Sequence, residues 1–205
     1  MKIGLFGGSF DPPHNAHISL AKTFLHDMSL DEVWLMVTPE NPWKRGRHLT
    51  ADAHRLEMVR CAIANSKGLV ASDYEFHLPK PTYSYLTLRN LRSDFPHHEF
   101  TLLIGGDNWE EFNHWAEYRE ILTHHAIAVY PRPGHTVHTP SDVSKFLGSL
   151  DSGQKLPTIL TAQVYDISST TIRCRRSLGE DITSFVSHSV AEYISRHGLY
   201  TSFEE

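Results

Sequence analysis

Cysteine is nearly missing from this 205-residue chain. Cys61 and Cys174 are its only two, too few for a disulfide framework or a thiolate metal centre and suited to a reducing compartment. No apolar run approaches the roughly 20 residues of a membrane span, and the N-terminus enters strand-like sequence without a signal-peptide core. The expectation is a cytoplasmic protein with no membrane partner. An excess of positive charge is also lacking: 19 Lys and Arg against 24 Asp and Glu leave a net charge of -5. That balance argues against a general nucleic-acid coat, so any anion site must be local. No G-x-G-x-x-G follows the first strand, which excludes the dinucleotide fingerprint, and neither HExxH nor Cys-x-x-Cys is there to complete a zinc site.

What is present is an ordinary globular composition, 40% hydrophobic and 21% charged, in a chain long enough to bury roughly 70% of its unfolded surface. Strand-like runs at 2–6, 32–37, 70–72, 100–104, 126–130 and 158–161 alternate with helical patterns at 18–26, 51–65 and 84–95. In the second helix Leu56, Val59 and Ile63 make one stripe, with Thr50 as its expected N-cap. Alternation of this kind predicts an α/β fold with right-handed crossovers: a Rossmann-like, doubly wound, mainly parallel sheet with helices on both faces. One domain over residues 1–205 is expected, its C-terminal helical part covering about 168–200. The stretch from 134 to 157 reads as a surface insertion. Ile182, Val186, Val190, Tyr193 and Ile194 suggest a terminal helix ending at His197-Gly198, and Cys61 reads as a small core residue.

The chemistry concentrates where the first strand ends. Gly7-Gly8-Ser9-Phe10-Asp11-Pro12-Pro13-His14-Asn15-Ala16-His17 runs from a strand through glycines and prolines into a helix. Glycines let a ligand approach the backbone, and a first helical turn offers free N–H groups and the positive end of the macrodipole to a phosphate. His14 and His17, three apart, share a face and can meet one anion. The other paired histidines, His97-His98 and His124-His125, read as surface residues. Two basic clusters follow strands: Lys44-Arg45-Gly46-Arg47-His48, and Arg173-Cys174-Arg175-Arg176, the latter after a Ser/Thr run that starts a helix. Lys44 and Arg173 are candidate phosphate ligands; Arg47, Arg175 and Arg176 read as solvated charge.

The first segment resembles the (G/S)-(T/S)-F-D-P-x-H-x-G-H signature of the nucleotidylyltransferase superfamily. Further segments resemble the nicotinate-nucleotide adenylyltransferases: Asn41-Pro42-Trp43-Lys44, Pro81-Thr82-Tyr83-Ser84, Ile104-Gly105-Gly106-Asp107-Asn108-Trp109 with Phe112 and Trp115, Tyr130-Pro131-Arg132-Pro133-Gly134, and Ile167-Ser168-Ser169-Thr170-Thr171-Ile172-Arg173. The resemblance implies transfer of the adenylyl group of ATP to nicotinate mononucleotide, with Mg2+ carried by the substrates. It implies that His14, His17, Lys44 and Arg173 act at the reacting phosphates. ATP would be bound by Gly7, Gly8, Ser9, Phe10, His14, His17, Lys44, Gly105, Asp107, Ile167, Ser168, Ser169, Thr170 and Arg173. Ser9, Phe10, Lys44, Thr82, Ser84, Trp115 and Arg132 would hold the mononucleotide. No protein-held metal is implied; the partners are small molecules, and a homo-oligomer is left open. On sequence alone Asp107 fits either a ribose ligand or a helix N-cap, and Trp115 either a stacking surface or core packing. The chain departs from the family pattern at Ala16, where glycine is usual, at Trp43, where histidine often stands, and at Ala116, a position often aromatic.

Overall fold

A computed structural model of the chain describes residues 1–39, 49–131, 156–161 and 167–202. Its elements alternate as expected: β1 (Lys2–Gly8), α1 (Asn15–Asp27), β2 (Glu32–Val37), α2 (Asp52–Ile63), β3 (Leu69–Ser72), α3 (Ser84–Asp94), β4 (Glu99–Gly105), α4 (Gly106–Glu110), α5 (Tyr118–His124), β5 (Ala126–Tyr130), β6 (Thr158–Ile159), α6 (Ser169–Ser177) and α7 (His188–Arg196). Among the described residues the strands form one sheet in the order β3-β2-β1-β4-β5-β6. Strands β1, β4, β5 and β6 pair in parallel, with Ile3 opposite Phe100 and Ile104 opposite Val129. The order reverses at β1, the signature of a doubly wound sheet, whose ligands bind at the carboxyl ends of the strands beside the reversal. Strands β1 and β4 flank it. Both are buried through their middles and apolar there but for Thr101, as parallel strands covered on two faces are.

The chain resolves into two compact units. The first comprises Met1–Phe6, Thr23–Val33 and Tyr83–Val164. Its buried side chains include Ile3, Leu5, Phe24, Leu91, Leu102, Ile104, Trp109, Phe112 and Ile127. The second comprises Gly7–Lys22, Trp34–Thr82 and Tyr165–Glu205, and Met58, Ile172, Ile182, Val186, Val190 and Ile194 form an apolar cluster within it.

Several details correct the sequence reading. Helix α1 begins at Asn15, three residues before its apolar stripe, so His17 lies in its first turn and His14 just ahead of it. Thr50 is not the cap of α2: Ala51 holds that position without a side-chain bond, and the Thr50 backbone N–H turns to the Asp11 carboxylate instead. The apolar residues from Ile182 do not make one helix. Only 188–196 are helical, and Ile182 and Val186 enter the cluster from turns that precede the Ser187 cap. Cys61 is half-buried at the margin of the cluster. His125, expected at the surface, is 5% exposed at the head of β5, and burial pushes its imidazole down to about 4. The expected insertion at 134–157 falls almost wholly outside the described residues.

Candidate active site

In the second unit, β1 ends at Gly8 and the chain folds back over it. Phe10 takes a left-handed backbone (φ 47) and is 1% exposed. A Cβ at Gly8 would stand 3.0 to 3.3 Å from the Phe10 ring, so this glycine serves the internal fold of the turn. The Phe10 ring meets His17 edge-on, 5.1 Å between centroids, and His17 stacks on His14 at 3.6 Å with an interplanar angle of 23°. The His14 backbone N–H donates to His17 Nδ1 at 3.2 Å. With Nδ1 accepting, the neutral ring carries its hydrogen on Nε2, which becomes its donor. The imidazole pair is thus held by the chain itself.

Helix α6 is bound to the same turn. Ser169 Oγ donates to the Pro12 carbonyl (2.9 Å) and Arg173 Nη1 to the Asp11 carbonyl (2.8 Å). Ser168 caps the helix, its Oγ accepting from Thr171 N at 3.0 Å. Sequence offered the Ser168 and Ser169 hydroxyls to phosphate; here Ser169 Oγ donates within the protein while Ser168 Oγ accepts from the helix, and the first turn of α6 adds its backbone N–H groups beside them. Residues 162 to 166 lie outside the described residues, whereas Ile167 is half-buried just before the cap. Structure therefore brings together His14, His17, Ser168, Ser169, Thr170 and Arg173, which are far apart in sequence. Lys44 and Arg132 lie outside the described residues, as do Trp43 and Arg47.

Two residues of this unit escaped the sequence reading. Arg55 on α2 is completely buried. It donates to the Ser9 carbonyl (2.7 Å), the Thr38 carbonyl (2.9 Å), the Thr50 carbonyl (2.8 Å) and Asp52 Oδ1 (2.5 Å). One guanidinium thereby pins the loops after β1 and β2 and the entry to α2. A signal existed, since Arg55 stands four residues before Val59 on the apolar stripe, where a solvated arginine would be out of place. The second is Tyr200, whose hydroxyl donates to Asp11 Oδ1 at 2.6 Å. Burial, with the Asp11 charge beside it, pushes this phenol well above its ordinary range. Thr82, offered to the mononucleotide, has a buried hydroxyl that donates to Glu75 at 3.4 Å.

In the first unit, β4 passes into α4 at Gly105, which is itself the cap position. Asp107 is therefore not the N-cap but a first-turn residue. A Cβ on Gly105 would collide with Asp107 Oδ1 and stand 3.0 Å from the Tyr130 hydroxyl, so only glycine leaves that carboxylate where it is. Trp109 and Phe112 are fully buried and stacked at 5.3 Å. Trp115 lies beyond them, half-buried and tilted against Phe112 at 5.4 Å. Trp109 and Phe112 pack in the core, whereas Trp115 keeps part of its surface exposed. Ser84 opens α3, where first-turn amides are available.

The cytidylyltransferase-like family model matches residues 5–175, which covers the histidine turn and most of α6. A probable nicotinate-nucleotide adenylyltransferase of Bacteroides fragilis is 40% identical over 195 residues, covering 94% of this chain and 90% of that one. The chain belongs to the nicotinate-nucleotide adenylyltransferase family. A probable nicotinate-nucleotide adenylyltransferase of Cytophaga hutchinsonii is 38% identical over 99% of this chain and 100% of its own length. Among solved structures, a Plasmodium falciparum nicotinic acid mononucleotide adenylyltransferase complexed with NaAD superposes with a TM-score of 0.78 at 21% identity, covering 100% of this chain and 99% of that one. At that identity the likeness establishes the Rossmann-like fold that nicotinate-nucleotide adenylyltransferases share.

Proposed function

We infer that this chain, acting as one transferase domain, transfers the adenylyl group of ATP to the 5'-phosphate of nicotinate mononucleotide, giving nicotinate adenine dinucleotide and pyrophosphate in NAD biosynthesis. The observation that carries the reading is the stacked His14–His17 pair, on a turn whose carbonyls are held by Ser169 and Arg173 of a capped helix. A phosphate monoester already bears negative oxygen, so the reaction needs no nucleophilic side chain and no dedicated base. Positioning and charge stabilisation carry the rate.

His17 Nε2 would donate to the α-phosphate as negative charge builds on its oxygens, and His14 would hold the neighbouring phosphate. The first-turn amides of α6 and the Arg173 guanidinium would take the outer phosphates, with Lys44 joining them from the loop after β2. Gly7, Ser9 and Phe10 would line the backbone side of the nucleotide. Asp107 would accept from ribose hydroxyls, and Ile167 would cover the adenosine. Ser84, Thr82, Trp115 and Arg132 would receive the nicotinate half, Trp115 by stacking. Mg2+ would enter as part of MgATP and neutralise its triphosphate. Among the described residues no helix is long and apolar enough to cross a membrane.

The test offers the purified protein MgATP with nicotinate mononucleotide, nicotinamide mononucleotide or phosphopantetheine and measures pyrophosphate release. Turnover is expected with the nicotinate nucleotide first. Release with phosphopantetheine alone would move the chain to another branch of the superfamily, and no release with any acceptor would overturn adenylyl transfer.

A further inference from the structure

Asp11 is 2% exposed, and its carbonyl and both carboxylate oxygens are engaged. Its carbonyl accepts from Arg173 (2.8 Å), one carboxylate oxygen from the Thr50 backbone N–H (3.2 Å), and the other from the Tyr200 hydroxyl at 2.6 Å. Three residues later comes His14. Tyr200 reaches this carboxylate because the chain reverses after α7: the Leu199 N–H returns to the Ile194 carbonyl, Gly198 has φ 60, and Tyr200 itself has φ 59. A left-handed backbone is uncommon in a residue with a bulky side chain and persists only where the surrounding structure holds it there. Filling the apolar cluster would require only the ring, which already lies at the cluster's margin, its oxygen 3.8 Å from Met58 Sδ. The hydroxyl adds one directional, charge-assisted bond to a buried carboxylate.

We propose that Tyr200 is a positioning residue for adenylyl transfer: by donating to Asp11 it fixes the turn that presents His14 and His17, and so makes the segment after α7 part of the catalytic apparatus. The proposal rests on the adenylyltransferase reading above. Asp11 has no role at the phosphates in it. Its carboxylate is the handle by which the C-terminal segment holds the turn, and the Tyr200 ring without its oxygen would leave that handle loose.

The experiment compares Tyr200→Phe, which keeps the ring, with Tyr193→Phe, which removes another phenol of the same region, bonded to His54 Nδ1 of α2 at 2.9 Å. Assays run well below either melting temperature. Tyr200→Phe is expected to lower kcat by about tenfold or more with both KM values within about threefold, and to cost no further kcat when added to Asp11→Asn. Tyr193→Phe is expected to leave kcat within about twofold. In parallel, NMR of the imidazole ring signals reads the turn without turnover: those of His14 and His17 should shift in Tyr200→Phe and stay in Tyr193→Phe. Unchanged kcat and unchanged His14 signals in Tyr200→Phe, or equal losses in the two phenylalanine variants, would overturn the proposal. Should the wild-type protein release no pyrophosphate, the transferase reading falls, while the ring signals still decide whether Tyr200 orders the turn.

Discussion

The imidazoles of His14 and His17 lie face to face, 3.6 Å apart, with the backbone N–H of the first donating into Nδ1 of the second. Each ring therefore limits the motion of the other, and Nε2 is fixed as the donor of the neutral His17 ring before any substrate arrives. Such preorganisation is what charge stabilisation in a transition state requires.

His17→Ala removes that donor while leaving the buried His14 in place. Turnover is expected to fall by about 10²-fold or more, the scale of losing one transition-state donor, with a much smaller change in either KM. Steady-state kinetics beside a thermal melt check it. Near-normal kcat would take His17 out of the chemistry.

Trp115→Ala is expected to raise the KM for nicotinate mononucleotide several-fold, by roughly 5- to 10-fold for the loss of about 1 kcal/mol of aromatic stacking, and to leave the KM for ATP almost unchanged. The buried pair Trp109 and Phe112 should keep the fold intact. Equal rises in both KM values would show that the ring supports packing instead.

Gly105→Ala tests Asp107. The added methyl would meet Asp107 Oδ1 and the Tyr130 hydroxyl, both side-chain ends that can swing aside, so folding should survive at a cost of about 1 kcal/mol. The displaced carboxylate should weaken ATP, seen as a KM rise of roughly tenfold, the worth of a hydrogen bond to a charged group. An unchanged KM for ATP would remove Asp107 from ribose binding.

His125 makes stability depend on acid. Its folded value, about 4, lies below the ordinary histidine value of 6.5, so the unfolded chain takes up this proton first as pH falls. The stability it contributes is complete above 6.5, drains away between 6.5 and about 4, and is level below. By pH 5 the loss amounts to about 2 kcal/mol. Urea denaturation at pH 7.5 and pH 5 should show a difference between the two pH values smaller by that amount in His125→Gln than in wild type. Identical differences would refute it.

The α/β alternation was legible because buried parallel strands are written as continuous apolar runs, and the histidine turn because glycine, proline and histidine there have few other uses. What escaped has a common cause. Thr50 looked like a cap because sequence shows a hydroxyl before a helix, whereas its N–H is claimed by Asp11, 39 residues away. His125 looked exposed because it adjoins His124, and burial at the head of β5 is set by packing from distant segments. The choice at Asp107 turned on two residues of helix boundary, and Tyr200 lies 189 residues from the carboxylate it serves. Partners distant along the chain leave no local pattern.

The buried guanidinium of Arg55 has a consequence for how this protein can change. Three stretches of main chain share a single cation that water does not reach, so a graft or insertion altering the path of any one of them also withdraws an acceptor from the others' anchor. Loop variants of this enzyme should succeed in matched sets, and fail when the segments are exchanged one at a time.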